Sequence, residues 1–347
     1  MQVKTNRDEL YRVLSIVSRA VGKSPAVLSG ILAQAEDDKI TFTANNLDIE
    51  ITGSCHADIE STGEAVLPAK ITEIIKNAPD RDVTIAYDTV AQINSGKAKY
   101  TLQCEGAEEF PKPEEQEPDV RTQLFNFESL VKRVAFVSTK DAFEGFKSGV
   151  LIDLNVNEIT MTATDTYRLA EVTAEAEGEG RYLVPAKNLR TIASIFGDSE
   201  VVIDFTSNQM VVRGEHFTAK SRLLEDRFPD LSSVWPKESK TTVDVDVQEL
   251  INAINRASVV LDALGHIEVL NDEGNLIINA QSPSGSAVES LPVSVKGEQC
   301  SALWNPQFLV EGLKAGGKEI HFNGEHGPLV MTAEGYRYLV LPIKRDQ

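Results

Sequence analysis

No apolar run approaches the roughly 18 residues that a membrane-spanning helix needs, so no membrane segment is expected. Cysteine is scarce: Cys55, Cys104 and Cys300 are all there is. They are odd in number, far apart and form no C-x-x-C pair. That excludes a disulfide framework and a sequence-evident zinc site, and fits a reducing compartment. A phosphate loop, Gly-x-x-x-x-Gly-Lys, is absent, and so is a G-x-S-x-G nucleophile elbow. The histidines, His56, His216, His266, His321 and His326, are scattered. The closest pair, His321 and His326, falls on opposite sides of a strand or across a turn, a poor start for a metal centre. No cofactor or metal is expected. Positive charge is also short, with 34 Lys and Arg against 53 Asp and Glu and a net charge of −19. Such a balance disfavours phosphate contact for the surface as a whole, yet leaves room for one basic face on an acidic body.

What the chain has is length and repetition. Its 347 residues exceed one ordinary core, so two or three domains are expected. At 41% hydrophobic and 25% charged it is globular rather than disordered. Met1-Gln2-Val3-Lys4 enters a strand pattern directly, so no signal peptide and a cytoplasmic location are expected.

The first unit sets the pattern. Thr5-x-x-Asp8 reads as a capping box ahead of Leu10, Leu14 and Val17, and Gly22 ends that helix. Gly30-Ile31-Leu32 opens a strand and Lys39–Ala44 is another. Leu67-Pro68-Ala69-Lys70 starts a second helix with proline in its first turn, and Ile71, Ile74, Ile75 and Ala78 are its apolar positions. Further strands run through 83–104. The same order returns with Leu130, Val134 and Val137, then Gly149-Val150-Leu151, then Ile159–Ala163, then Val184-Pro185-Ala186-Lys187 and Ile192. A third copy has Leu250, Ile254 and Ala257, a strand opened by Gly265, another at Leu276–Ala280, and a helix started by Asn305-Pro306. A period of about 120 residues marks a repeated domain, not a solenoid. The joins are the acidic, proline-rich stretch 106–120, with Glu114 and Glu115 inside it, and the span from Arg227-Phe228-Pro229-Asp230 to Trp235-Pro236. The reading is an α+β chain of three repeats at 1–118, 119–238 and 239–347.

One stretch, ITMTATDTYRLA at 159–170, carries the most information. Ile159, Met161 and Ala163 alternate with Thr160, Thr162 and Thr164, and a polar turn follows. Asp165 and Arg168 are candidates for a catalytic acid and its partner in an enzyme built on repeated domains. No histidine or lysine base accompanies them, which favours a salt link or a turn cap. Basic residues recur at equivalent helices: Arg12, Arg19 and Lys23; Lys132, Arg133 and Lys140; Lys70, Lys76, Lys187, Arg190, Lys314 and Lys318. Two readings stand here, solvated polar faces or one basic face turned the same way in each repeat.

TATD-x-x-RLA, with the L-P-A-K and V-P-A-K segments, Arg227-Phe228-Pro229-Asp230 and the ending Tyr338-Leu339-Val340-Leu341-Pro342-Ile343, resembles the bacterial replicative sliding clamps, the β subunits of DNA polymerase III. The resemblance covers nearly the whole chain. It implies three clamp domains per chain and a head-to-tail homodimer closed into a ring, with helices inside and sheets outside. Such a ring encircles duplex DNA without reading bases. Its DNA-facing residues would be Arg19, Lys23, Lys70, Lys132 and Lys187. The family implies a peptide groove between the second and third domains. It takes a short Gln- and Leu/Phe-containing motif from the replicative polymerase, the clamp loader, and repair or ligation proteins. Its wall here would be Thr164, Thr166, Tyr167, Leu169, Pro229, Val234, Asn305, Phe308, Pro328, Leu339, Leu341, Pro342 and Ile343. Lys147 stands where an aliphatic residue is usual and Ser233 where an arginine is common. Lys344-Arg345-Asp346-Gln347 runs past the usual end. The dimer seam would include Tyr100, Leu102, Val259 and Val260.

Overall fold

Short polar residues ahead of apolar runs set where several helices begin. The computed structural model describes residues 1–112, 116–263 and 265–344, with the side chain of Ala142 excepted. Glu114 and Glu115 of the acidic join, and Arg345, Asp346 and Gln347 of the final run, lie outside the described residues. Among the described residues the α-helices are α1 (Arg7–Val17), α2 (Ile71–Lys76), α3 (Phe127–Val134), α4 (Ala186–Phe196), α5 (Val247–Ala257) and α6 (Pro306–Lys314). Asp246 caps α5 through the Glu249 N–H, and Asn305 caps α6 ahead of Pro306 at its first turn. Each buries one apolar stripe: Leu10, Val13, Leu14 and Val17 in α1, Leu250, Ile251, Ala253, Ile254 and Ala257 in α5.

Several sequence expectations shift. The cap of α1 is Asn6, which accepts from the Asp8 and Glu9 N–H groups. The Thr5 hydroxyl donates instead to the His56 carbonyl, because Thr5 is still in the first strand and points into the fold. α1 ends at Val17 and passes into a 3-10 turn, Ser18–Ala20, so Gly22 lies beyond the helix. Pro68 and Pro185 do not sit in first helical turns. Each ends a strand, Gly63–Pro68 and Arg168–Pro185, where its missing N–H costs no ladder bond. The second repeat has one long strand, Gly149–Thr164, in place of two. A register shift between Val156 and Glu158 absorbs the break. The strand expected to open at Gly265 begins at Ile267.

Packing divides the chain into two units: Met1–Glu128 with Asn188–Leu224, and Ser129–Lys187 with Glu225–Gln347. The second repeat is shared between them. In the first unit an eight-stranded antiparallel sheet joins strands of the first and second repeats. The joining pair is Ile49–His56 with Phe217–Arg222, where Gly53 faces Phe217 and Ile49 faces Ser221. A Cβ on Gly53 would stand 2.5 Å from the Phe217 ring, so glycine lets the two repeats close. A five-stranded sheet of the same unit ends on the strand Ala98–Gln103.

The second unit repeats this plan. A seven-stranded sheet joins Arg168–Pro185 of the second repeat to Tyr336–Val340 of the third, with Arg168 opposite Val340 and Val172 opposite Tyr336. A four-stranded sheet ends on Gly285–Pro292. Tyr338 is fully buried under α6, and its hydroxyl donates to the Phe308 carbonyl at 3.0 Å. No helix among the described residues is long and apolar enough to cross a membrane.

Gly312 of α6 lies against the Tyr338 ring, and an added Cβ would fall 2.3 Å from two ring carbons. Gly312→Ala should therefore cost about 1–3 kcal/mol through overpacking. Trp235 and Trp304 both belong to the second unit, so tryptophan fluorescence in urea reads that unit. An unchanged midpoint would mean that the tyrosine yields without strain.

Candidate functional site

The turn Asp165–Tyr167 is built by its own side chains. Asp165 Oδ1 accepts from the N–H groups of Tyr167 and Arg168, each at 3.0 Å. The Thr164 hydroxyl accepts from the Thr166 N–H at 3.1 Å and donates to the Arg168 carbonyl at 2.7 Å. Thr166 takes φ of +78°, which this double cap holds in place. The Leu341 N–H donates to the Tyr167 carbonyl at 2.9 Å, tying the turn to the chain's final strand.

Arg168 follows the turn and is buried, with 9% of its side chain exposed. Its Nε donates to Asp165 Oδ2 at 2.9 Å and its Nη1 to Glu311 of α6. The guanidinium lies over the Phe308 ring at 4.1 Å and the Phe136 ring at 5.6 Å. Burial acts to lower its pKa, but Tyr338, Glu311 and Asp165 outweigh that and hold it above the ordinary arginine value. Asp165 and Arg168 are therefore a structural pair with their hydrogen-bonding capacity largely spent, not an acid and base awaiting a substrate.

Beside this turn is a cavity of about 230 Å³ within the second unit. Leu169 and Leu339, opposite each other across the sheet and 2% exposed, form its floor. Thr164, Thr166 and Pro229 line it too, while Tyr167, Val234 and Leu341 stand at the rim, 65%, 40% and 42% exposed. Eight of the groove residues expected from sequence are thus together. Asn305, Phe308, Pro328, Pro342 and Ile343 are not on this wall. Asn305 caps α6, Phe308 lies under Arg168, and the Pro328 carbonyl accepts from Asn323. The Ile343 N–H donates to the Leu303 carbonyl, which draws the tail after Leu341 away toward another strand.

Sequence reading missed Phe146, Leu231 and the stem of Arg168. Leu231 sat in plain view, as the apolar residue between Pro229 and Val234. Phe146 carries no periodic signal, and its neighbour Lys147 does not line the cavity and pairs with Glu144 at 3.0 Å. Ser233 belongs to the 3-10 turn Ser232–Val234 and does not line it either.

The same turn exists in the first repeat, with the same backbone N–H groups capped. Asn46 Oδ1 accepts from the Asp48 and Ile49 N–H groups, Asn45 Oδ1 accepts from the Leu47 N–H, and Leu47 has φ of +76°. The Arg222 N–H donates to the Asp48 carbonyl at 3.0 Å, as Leu341 does to Tyr167. The chemistry of the wall differs. Glu50 and Lys220 face each other where Leu169 and Leu339 do, and they form an ion pair at 3.1 Å. The cavity there, about 240 Å³, is polar and includes Lys112 and Arg222.

Arg19, Lys23, Lys70, Lys132 and Lys187 are all exposed, and Arg19 donates to Ser194. Arg133 differs: it stacks on Tyr336 at 4.6 Å and donates to the Ala315 and Glu334 carbonyls. Burial lowers its pKa and that of Arg190. Of the four expected seam residues, Leu102 is buried, Tyr100 and Val260 are half-buried, and Val259 is 80% exposed.

Repeated two-helix units fused through continuous sheets, with an apolar cavity at one join, define a sliding-clamp architecture. Comparison with known proteins gives the same class. The profiles of the DNA polymerase III beta subunit match in order, the N-terminal domain at residues 1–114, the central domain at 122–230 and the C-terminal domain at 232–337. The beta sliding clamp of Synechococcus elongatus is 28% identical over 99% of both chains, and that of Bacillus subtilis 27% over 99% of this chain and all of the other. The solved DNA polymerase sliding clamp of Bacillus subtilis superposes with a TM-score of 0.95 over the full length of both chains at 26% identity. The chain belongs to the DNA polymerase III beta subunit family, the non-enzymatic processivity factors of replication.

Asp165 is the keystone of the turn. Asp165→Ala removes three acceptor contacts and one partner of a buried cation, and should cost the second unit about 2–4 kcal/mol in urea unfolding. Asp165→Asn keeps the turn acceptor and should cost less. Equal losses would show that the charge alone matters.

Proposed function

We propose that two copies of this chain close head to tail around duplex DNA and carry polymerase and other partners along it by a peptide docked in the cavity floored by Leu169 and Leu339. The supporting observation is that cavity: a buried leucine floor, an exposed Tyr167–Val234–Leu341 rim and hydroxyls of Thr164 and Thr166 at one side. Such a wall suits a Leu or Phe anchor with a polar residue beside it. The motif-bearing partners are the replicative polymerase, the clamp loader, and repair or ligation proteins, and the compartment is the cytoplasm. Asn305, Phe308, Pro328, Pro342 and Ile343 belong to the outer reach of the same groove.

The inner face is assigned to the helices, with Arg19, Lys23, Lys70, Lys132 and Lys187 toward phosphates. A few lysines on an acidic protein give weak, salt-sensitive contact without base reading, which is what sliding requires. The seam is assigned to the edge strand Ala98–Gln103 of one chain and the region of Val259 and Val260 in the other. Open sheet edges favour pairing: Ala98–Gln103 ends one sheet, and Gly285–Pro292 ends the sheet beside the turn of Val259 and Val260. The repeats are taken to run 1–118, 119–238 and 239–347.

A Gln-Leu-x-Leu-Phe pentapeptide should bind in the micromolar range by calorimetry. Leu169→Asp, or removal of residues 341–347, should weaken it at least about 30-fold, the size of a hot-spot loss. Lys147→Leu should leave affinity unchanged, since its ammonium is held by Glu144. Equal affinity for the parent and Leu169→Asp would remove the peptide from this cavity.

Ring closure is read by light scattering and by retention on nicked circular DNA, with loss when the circle is cut. Val260→Asp should give monomers that are not retained. The triple change Lys23→Glu, Lys132→Glu and Lys187→Glu should keep the dimer and lower DNA contact equally for all sequences, with stability moved by about 0.5 kcal/mol or less per site. Retention of the triple variant like the parent at low salt would displace the assigned inner face.

A further inference from the structure

The sheet face that floors the groove does not end with it. Thr164, Leu169 and Leu339 form one cross-strand row, and Thr162, Glu171 and Arg337 form the next on the same face. The step between rows is two residues, roughly 7 Å. Over that step the face changes from apolar to charged and opens into a second cavity of about 590 Å³, also within the second unit. Pro229 and Leu231 line both cavities, so the connecting chain forms a shared wall. Leu231 and Trp235 pack on the buried cluster of Leu169, Val330 and Leu339, which fixes that wall to the groove's own floor.

The charges of the second cavity do not balance. Arg181 pairs with Asp153 at 3.1 Å, and Arg337 with Glu171. Glu158 and Asp230 also line it and make no ion pair among the described residues. Trp235 supplies an aromatic face that already accepts one cation, since the Arg337 guanidinium lies 4.1 Å from its ring.

We propose that this second cavity reads the residues flanking the apolar anchor of the same partner peptide, and that it selects lysine or arginine there. This rests on the peptide-groove reading above. A long basic side chain lays its methylenes along Leu231 and Trp235 and carries its charge to Glu158 and Asp230. The wall shared by the two cavities is short enough for one extended peptide to cross, and an acidic flank meets the cavity's excess of carboxylates over guanidiniums and is rejected. The apolar groove supplies affinity, and the charged cavity sorts partners by what lies beside the motif.

The test is calorimetry of the full chain with the pentapeptide and with versions carrying Lys-Lys, or Glu-Glu, through a Gly-Ser spacer at either end. One Lys-Lys version should bind about 3–10-fold tighter than the pentapeptide at low salt, the range of one or two partly exposed ion pairs. The Glu-Glu version at that end should bind more weakly. The double variant Glu158→Gln/Asp230→Asn, or high salt, should erase the gain and leave the pentapeptide unaffected. A pentapeptide that binds with no gain from lysine at either end overturns this proposal alone, and so does a gain that survives in the double variant. A pentapeptide that does not bind at all overturns the groove reading beneath it.

Discussion

A buried guanidinium holds the second unit's join together. Arg168 gives up most of its water, and without the carboxylates that compensate it the buried cation would cost several kcal/mol. Its partners come from different parts of the chain: Asp165 from the turn before it, Glu311 and Phe308 from α6, Phe136 from the segment after α3. One side chain thus fixes the turn, the helix and the strand that follows. Leu169, the next residue, is placed by that anchor as the floor of the groove. The floor of the cavity is thus covalently adjacent to a charge whose displacement would break those contacts.

Sheet continuity does the rest. In each unit, strands of neighbouring repeats pair edge to edge, so an exposed edge becomes the interior of a longer sheet. Backbone hydrogen bonds carry no side-chain identity, so the same joint is reused with different surfaces. At the first joint the facing pair is Glu50 and Lys220, at the second Leu169 and Leu339. The frame is shared and the recognition chemistry is not.

The repeat was legible because helix and strand periods recur in order, and the apolar stripes of α1 and α5 follow that spacing. The turn at Asp165 was legible because aspartate and threonine around a tight bend have few other uses. Helix boundaries at Pro68 and Pro185 were not, since proline fits the end of an edge strand as well as the first turn of a helix, and only ladder register separates the two. Phe146 and Leu231 escaped because the groove is assembled from segments far apart in sequence. Which of two neighbours faces in, Phe146 or Lys147, is settled by a kink at Glu144–Gly145, where Gly145 takes φ of +58°, a feature with no periodicity to read.

The ion pair at the first joint also sets a limit on traffic. With charge at one joint and leucine at the other, only the second of these two joints carries an apolar cavity, so a dimer of the proposed form would have two docking points, each taking one partner at a time. At the micromolar affinity proposed above and ordinary association rates, dissociation would run at about 0.1–10 per second, so a docked peptide would stay for about 0.1–10 seconds. Handover then needs no active removal. Local concentration would then decide which partner arrives next.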